Sequence, residues 1–205
     1  MDLPKSIQDL VESFEMLPGI GPKTAQRLAF YVLRLPLDDV KRFSESVNSI
    51  KENTKICKEC FNVAEDELCS VCANPSRGRQ TICVVESPLD VIALEKSGYK
   101  GVYHVLHGFI NPIAGVGPDE IFIPQLFNRL SLLGEAGVQV SEIILATSTS
   151  MEGESTSMYI NRELVKNYGD SIKVSRIGKG LPMGADIEFA DERTLSDAIQ
   201  GRTTI

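Results

Sequence analysis

Between Ser6 and Leu17 the apolar residues Ile7, Leu10, Val11, Phe14 and Leu17 recur every three or four positions, which predicts an amphipathic helix. Ser6 and Asp9 are spaced as a capping box at its start. The run Pro18-Gly19-Ile20-Gly21-Pro22 interrupts the period. Ala25, Leu28, Ala29 and Val32 resume it in a second helix that runs through Arg34 to a stop at Pro36. Asp38 is placed to cap a third helix, whose Val40, Phe43, Val47 and Ile50 share one face. Residues 1–54 are therefore expected to form a compact all-helical unit. Residues 55–79 hold four cysteines and the polar run Asn74 to Arg79, a knuckle and a linker.

Beyond Gln80 the texture changes to short apolar strands, TICVVE, GVYHVLH, SEIILATS and KVSRI. They alternate with helical patterns in SPLDVIALEKSG, in DEIFIPQLFNRLSLLGEAG and near 155–168. Such alternation predicts an α/β fold over 80–178, a parallel sheet flanked by helices, with a C-terminal segment over 179–205. Gly108 to Pro118 is too long for a tight connection and is expected to be a mobile surface loop.

With 205 residues, 42% hydrophobic and 24% charged, the chain is near the globular average, which excludes fibrous and disordered classes. It contains no membrane-length apolar run, and Met1 to Leu10 lacks the pattern of a signal peptide, so a cytoplasmic protein is expected. The 21 basic and 28 acidic residues give −7, which argues against holding nucleic acid through the overall field. Residues 1–80 carry 11 basic and 12 acidic side chains, whereas the remainder carries 10 and 16, so the acidity lies in the C-terminal part.

Local chemistry changes the picture at the first turn. Gly19 and Gly21 allow close backbone approach, and Pro22 starts a helix whose amides face outward as an anion site. On a helical wheel Lys23, Arg27 and Arg34 fall within roughly 40° of one another, with Phe30 beside them and Ala25, Leu28 and Val32 opposite. The G-x-x-x-x-G-K-[ST] spacing of a nucleotide loop is absent, so no ATP site is expected. The turn resembles the helix-hairpin-helix motif, which implies binding to the DNA backbone without reading sequence.

Cys57-x-x-Cys60 and Cys69-x-x-Cys72 are separated by eight residues, spacing that lets two knuckles close a tetrahedron of thiolates around Zn²⁺. Four thiolates leave no open position, so the metal is structural. Disulfides are disfavoured in a chain without secretory features. Cys83 lies inside an apolar strand and reads as a small core residue. His104 and His107 lack further ligands and are not expected to bind metal.

Glu86 ends the first strand of the sheet, and Glu152 and Glu154 open the helix after SEIILATS, the strand ends where such folds place function. This arrangement is similar to the Toprim domain of topoisomerases, primases and some nucleases, with Glu86 as its strand-end glutamate and Glu152-Gly153-Glu154 as its Glu-Gly-Glu. The two aspartate positions of that family hold Ser148 and Ser150, neutral groups that ligate Mg²⁺ poorly. No catalytic residue is expected.

The ordered combination of hairpin, four-cysteine knuckle and depleted Toprim domain, with VLHG, GVGPDEI, VVESP and GLPMGADIEFADERTLSDAIQGR, resembles the bacterial RecR family of recombination mediators over essentially the whole chain. The resemblance implies a non-enzymatic clamp, commonly a homotetramer ring, that holds single- or double-stranded DNA. It further implies action with RecO and RecF to load RecA on single-stranded gaps. Carried over residue by residue, it points to Lys23 and Arg27 on DNA, while Arg34 follows from the wheel alone. It implies Glu86, Glu152 and Glu154 as a surface for partner docking. Two alternatives remain, a Mg²⁺-dependent Toprim nuclease using Glu86, and an interaction scaffold that binds no DNA.

Overall fold

The computed structural model describes residues 3–202, and the chain divides into two units, Met1–Thr54 and Lys55–Ile205. The first holds three helices, α1 (Lys5–Glu15), α2 (Pro22–Val32) and α3 (Leu37–Asn53). Its core is small. Val11 meets Ala25 and Ala29, one turn apart on α2, with Ile7, Leu10, Phe14 and Ile20 around them. The small alanines let α1 and α2 approach closely.

Both expected caps differ from what the chain adopts. Pro4 and Pro36 are the N-caps, because a proline lacks the N–H that the first turn would leave unpaired, so Ser6 and Asp38 lie inside their helices. Asp38 and Asp39 serve the first turn of α3 through the helix dipole. Within this compact unit α3 buries no residue. Phe43, Val47 and Ile50 are each more than half exposed, so their apolar stripe is unused within the unit.

In the second unit β1 (Lys55–Ile56) and β2 (Val63–Ala64) form an antiparallel pair in the cysteine knuckle. The chain continues through β3 (Gly78–Val85), α4 (Pro88–Lys96), β4 (Gly101–Val105), α5 (Ile123–Glu135), β5 (Glu142–Leu145), α6 (Met151–Tyr168), β6 (Lys173–Arg176) and α7 (Glu192–Gln200). The four longer strands make an all-parallel sheet in the order β4-β3-β5-β6. Ile82 to Val85 and all of β4 are buried, as strands covered on both faces must be. From β3 the chain steps to β4 on one side and later returns to β5 on the other. This reversal opens a crevice at the C-terminal ends of β3 and β5.

Three local expectations are corrected here. The run Asn74 to Arg79 is not a free linker, since β3 already begins at Gly78. Arg77 donates to the carbonyls of Tyr99 and Gly101 and pairs with Glu95, while Arg79 donates to Cys72 O and pairs with Glu59. The 108–118 loop folds on itself. An Asn111–Val116 bridge closes it over a 3-10 turn, Pro112–Ala114, and Ile110 N donates to Thr156 Oγ1 on α6. Helix α6 starts at Met151 rather than near Ser155, because Ser150 caps it by accepting from Gly153 N. None of the helices among the described residues is long and apolar enough to cross a membrane.

Candidate nucleic-acid interface and metal centre

At the hairpin Gly19 has φ +82°, a left-handed conformation that a side chain would strain, and no atom lies near its missing Cβ or that of Gly21. The turn therefore faces open space. Gly21 is the extended N-cap of α2 and Pro22 its first residue, and no side chain caps the amides that follow. They are free to bind an external anion.

Lys23, Arg27 and Arg34 are exposed, and among the described residues none of them forms an ion pair. They border an open concavity of about 860 Å³ together with Thr24, Gln26, Phe30 and Tyr31. Arg34 reaches it by a different route from the one the wheel assigned. Helix α2 ends at Val32, and Arg34 lies in the turn beyond, where its N–H bonds Tyr31 O. Tyr31, 63% exposed, is a second ring on this surface that the sequence reading missed. Its spacing of four from Arg27 was the available signal.

The four cysteines are buried, and their Sγ atoms all lie within 4.8 Å of one another. A tetrahedral zinc site with bonds of about 2.3 Å has sulfur–sulfur edges of about 3.8 Å, so the set fits the ion. Backbone bonds shape the two knuckles, Cys57 N to Asn62 O at 2.8 Å and Ala73 N to Cys69 O at 2.9 Å. Hydrogen bonds from the three neighbouring thiols hold Cys57 well below its ordinary pKa, whereas Cys60 and Cys72 are held above theirs. Cys69 is lowered as well, so the packed thiols lose some protons readily and the rest against growing negative charge, which a dication relieves. Zinc is the structural cofactor of this knuckle. The four thiolates saturate it, so it supplies cross-linking and no reaction chemistry.

The histidines face elsewhere. His104 Nε2 lies 2.7 Å from Phe122 O, and His107 Nε2 lies 2.6 Å from Phe61 O. Phe61 and His107 both have positive φ, 62° and 54°, so two strained residues are joined by one hydrogen bond. Cys83 is 2% exposed, and burial pushes its thiol up to about 12.

At the crevice the structure brings Glu86 together with Ser148 and Ser150. Glu86 Oε1 accepts from Ser148 N at 2.8 Å, and Ser148 Oγ lies 2.8 Å from Ser150 Oγ. Gly153 is required here, since a Cβ would fall 2.3 Å from Ser148 O and 2.8 Å from Glu86 Oε1. Glu152, half-buried, occupies the same first turn of α6. Glu154 is gripped by Lys179 and Arg176, with Arg193 at 4.0 Å. Hydrogen bonds from Lys179 and then Arg176 hold its carboxyl below the usual range. These cations lie 22 and 25 residues along the chain, beyond any local pattern, and the sequence reading missed them.

Comparison with known families adds four matches. Residues 7–50 match the model described as RecR, helix-hairpin-helix, and 54–74 match the RecR zinc finger domain of the four-cysteine type. Residues 80–178 match the Toprim domain, and 180–203 match RecR, C-terminal. A protein of Staphylococcus saprophyticus named Recombination protein RecR is 51% identical over 204 residues, 99% of each chain. Proteins of the same name from Staphylococcus aureus strains JH9 and Newman are 50% identical over the same span, again 99% of each chain.

Proposed function

The chain belongs to the RecR family, and from that premise we propose that it serves recombinational DNA repair as a sequence-independent DNA clamp without catalytic activity of its own. One observation carries the reading. The hairpin presents uncapped helix amides, Lys23, Arg27 and Arg34 to solvent, and among the described residues no carboxylate pairs with these side chains. A phosphate backbone offers evenly spaced anions and demands nothing else of the protein.

The net charge of −7 makes a single copy a weak binder. Several hairpins in one homotetramer ring raise the number of phosphate contacts and the local concentration of sites together. The exposed stripe of α3, and Ile187, Phe189 and Ile199 in the C-terminal segment, support assembly from more than one copy. The Toprim crevice is a docking surface, with Glu86, Glu152 and Glu154 on its acidic side, through which RecO and RecF act with the clamp in the cytoplasm to load RecA on gapped single strands. The fastening of Glu154 by two cations supports an idle site, because a carboxylate spent on internal ion pairs gives Mg²⁺ a poor grip.

The test is the mass of the purified oligomer with and without long DNA, combined with gel shifts at rising salt. The clamp requires several copies per DNA-bound particle and binding that weakens steeply with salt. Absence of any shift at low salt returns the chain to the scaffold reading, shifts that ignore salt overturn the phosphate-clamp reading, and plasmid nicking dependent on Mg²⁺ and on Glu86 returns it to the nuclease reading.

A further inference from the structure

A cleft of about 220 Å³ lies between the zinc knuckle and helix α5, apart from the hairpin and the Toprim crevice. Arg129, from α5, forms its polar wall and is only 6% exposed. Its Nη1 donates to Tyr103 O at 2.6 Å, but Nε and Nη2 have no hydrogen-bond partner. The nearest carboxylate, Glu59, is 3.8 Å from Nη2 and engaged by Arg79 at 2.7 Å. One turn before Arg129, Gln125 leaves its buried Oε1 unpartnered as well. Orphaned donors on a buried guanidinium leave its desolvation uncompensated unless something fills them, so an occupant is called for.

The charges around the cleft choose the occupant. Lys58 is taken by Glu67 and Arg79 by Glu59, leaving one positive charge, that of Arg129, without a full counter-ion. One carboxylate balances it, and its two oxygens match the free Nε–H and Nη2–H pair. Gln125 lines the same cleft, and half a turn of its amide puts Nε2 where the unpartnered Oε1 stands, as a second donor for that occupant. Phe61, Leu132 and Leu133 add apolar surface to a lining that also includes Asn128. We propose that this cleft receives an aspartate or glutamate side chain of a protein partner, flanked in that partner by an apolar residue. This docking point goes beyond the clamp reading and does not depend on DNA.

Full-length, zinc-loaded, ¹⁵N-labelled protein titrated with N-acetyl-aspartyl-leucinamide tests it. The Arg129 Nε–H resonance should move and saturate with a dissociation constant on the order of millimolar, as suits so small a ligand. The asparaginyl counterpart should bind at least about tenfold more weakly, since it lacks the charge. Gln125→Leu, which keeps the reporter and whose spectrum shows whether the fold persists, should weaken the peptide about fivefold, the loss of one hydrogen bond. An unmoved Arg129 resonance up to about 50 mM, far above that affinity, overturns the proposal. So does an equal response to the asparaginyl peptide, or inorganic phosphate binding there as tightly as the peptide.

Discussion

The two units use their cations in opposite ways. In the α/β unit Arg77, Arg79, Arg176 and Lys179 each meet a carboxylate, and these pairs join segments 18 to 25 residues apart. In the helical unit the sole ion pair among the described residues is Arg42 with Asp39, while Lys23, Arg27 and Arg34 have none. The same side chains thus fasten one unit and leave the other able to bind. What separates them is the presence of a carboxylate within reach, not composition, for the helical unit and the knuckle together are almost neutral. The cores divide likewise. The sheet, its helices and the cysteines share one continuous core, whereas the hairpin rests on Val11, Ala25 and Ala29.

The comparison breaks first at the knuckle. Cys72→Ser should lower the thermal midpoint by about 12 °C, a loss of roughly 4 kcal/mol, and release zinc measurable by elemental analysis. An unchanged midpoint would show that the metal fastens nothing. Next in size, Lys23→Ala with Arg27→Ala should weaken DNA binding about 100-fold and flatten the salt slope by about 1.8 per bound chain. Its circular dichroism and melting should match the parent, because neither side chain is tied to the fold.

The third expected effect is acid sensitivity in the α/β unit. Burial lowers the pKa of His104 from 6.5 to about 3. Between those values the unfolded chain binds a proton that the folded chain refuses, so stability falls as pH falls through that window. From pH 7 to pH 5 the loss should be about 2 kcal/mol in urea unfolding, and His104→Gln, which keeps a donor for Phe122 O, should lack it. The smallest effect belongs to Glu154→Gln. It leaves Arg176 and Lys179 without their shared carboxylate and should cost about 1 kcal/mol with DNA binding intact. A variant that lost DNA binding instead would place the crevice on the DNA path.

Much of this was legible in the sequence because it is local. The three helical stripes, the alternation of strands with helices and the paired C-x-x-C motifs are periodicities and spacings, and each appears in the structure as an element or a cluster. Termini were less legible. Ser6 and Asp38 have the side chains of caps, yet Pro4 and Pro36 take those positions, and Arg34 falls beyond a helix that ends two residues sooner. Ser148 and Ser150 were recognised as replacements for metal ligands. That Ser150 caps α6 while Ser148 binds Glu86 through its N–H depends on how β3 and β5 adjoin. Arg129 gave no signal at all, since its burial and its unfilled N–H groups arise where α5 meets the knuckle.

The hydrogen bond between His107 and Phe61 makes the knuckle and the end of β4 one mechanical linkage. Each residue holds a left-handed backbone worth about 1–3 kcal/mol of strain, sustained only while its surroundings enforce it. Metal removal would free Phe61 to relax, and His107 would then lose one of the bonds at the root of the 108–118 segment, beside that of Gly108 N to Glu86 O. Depletion of zinc should therefore raise amide hydrogen exchange just beyond β4 before that of the central strands rises.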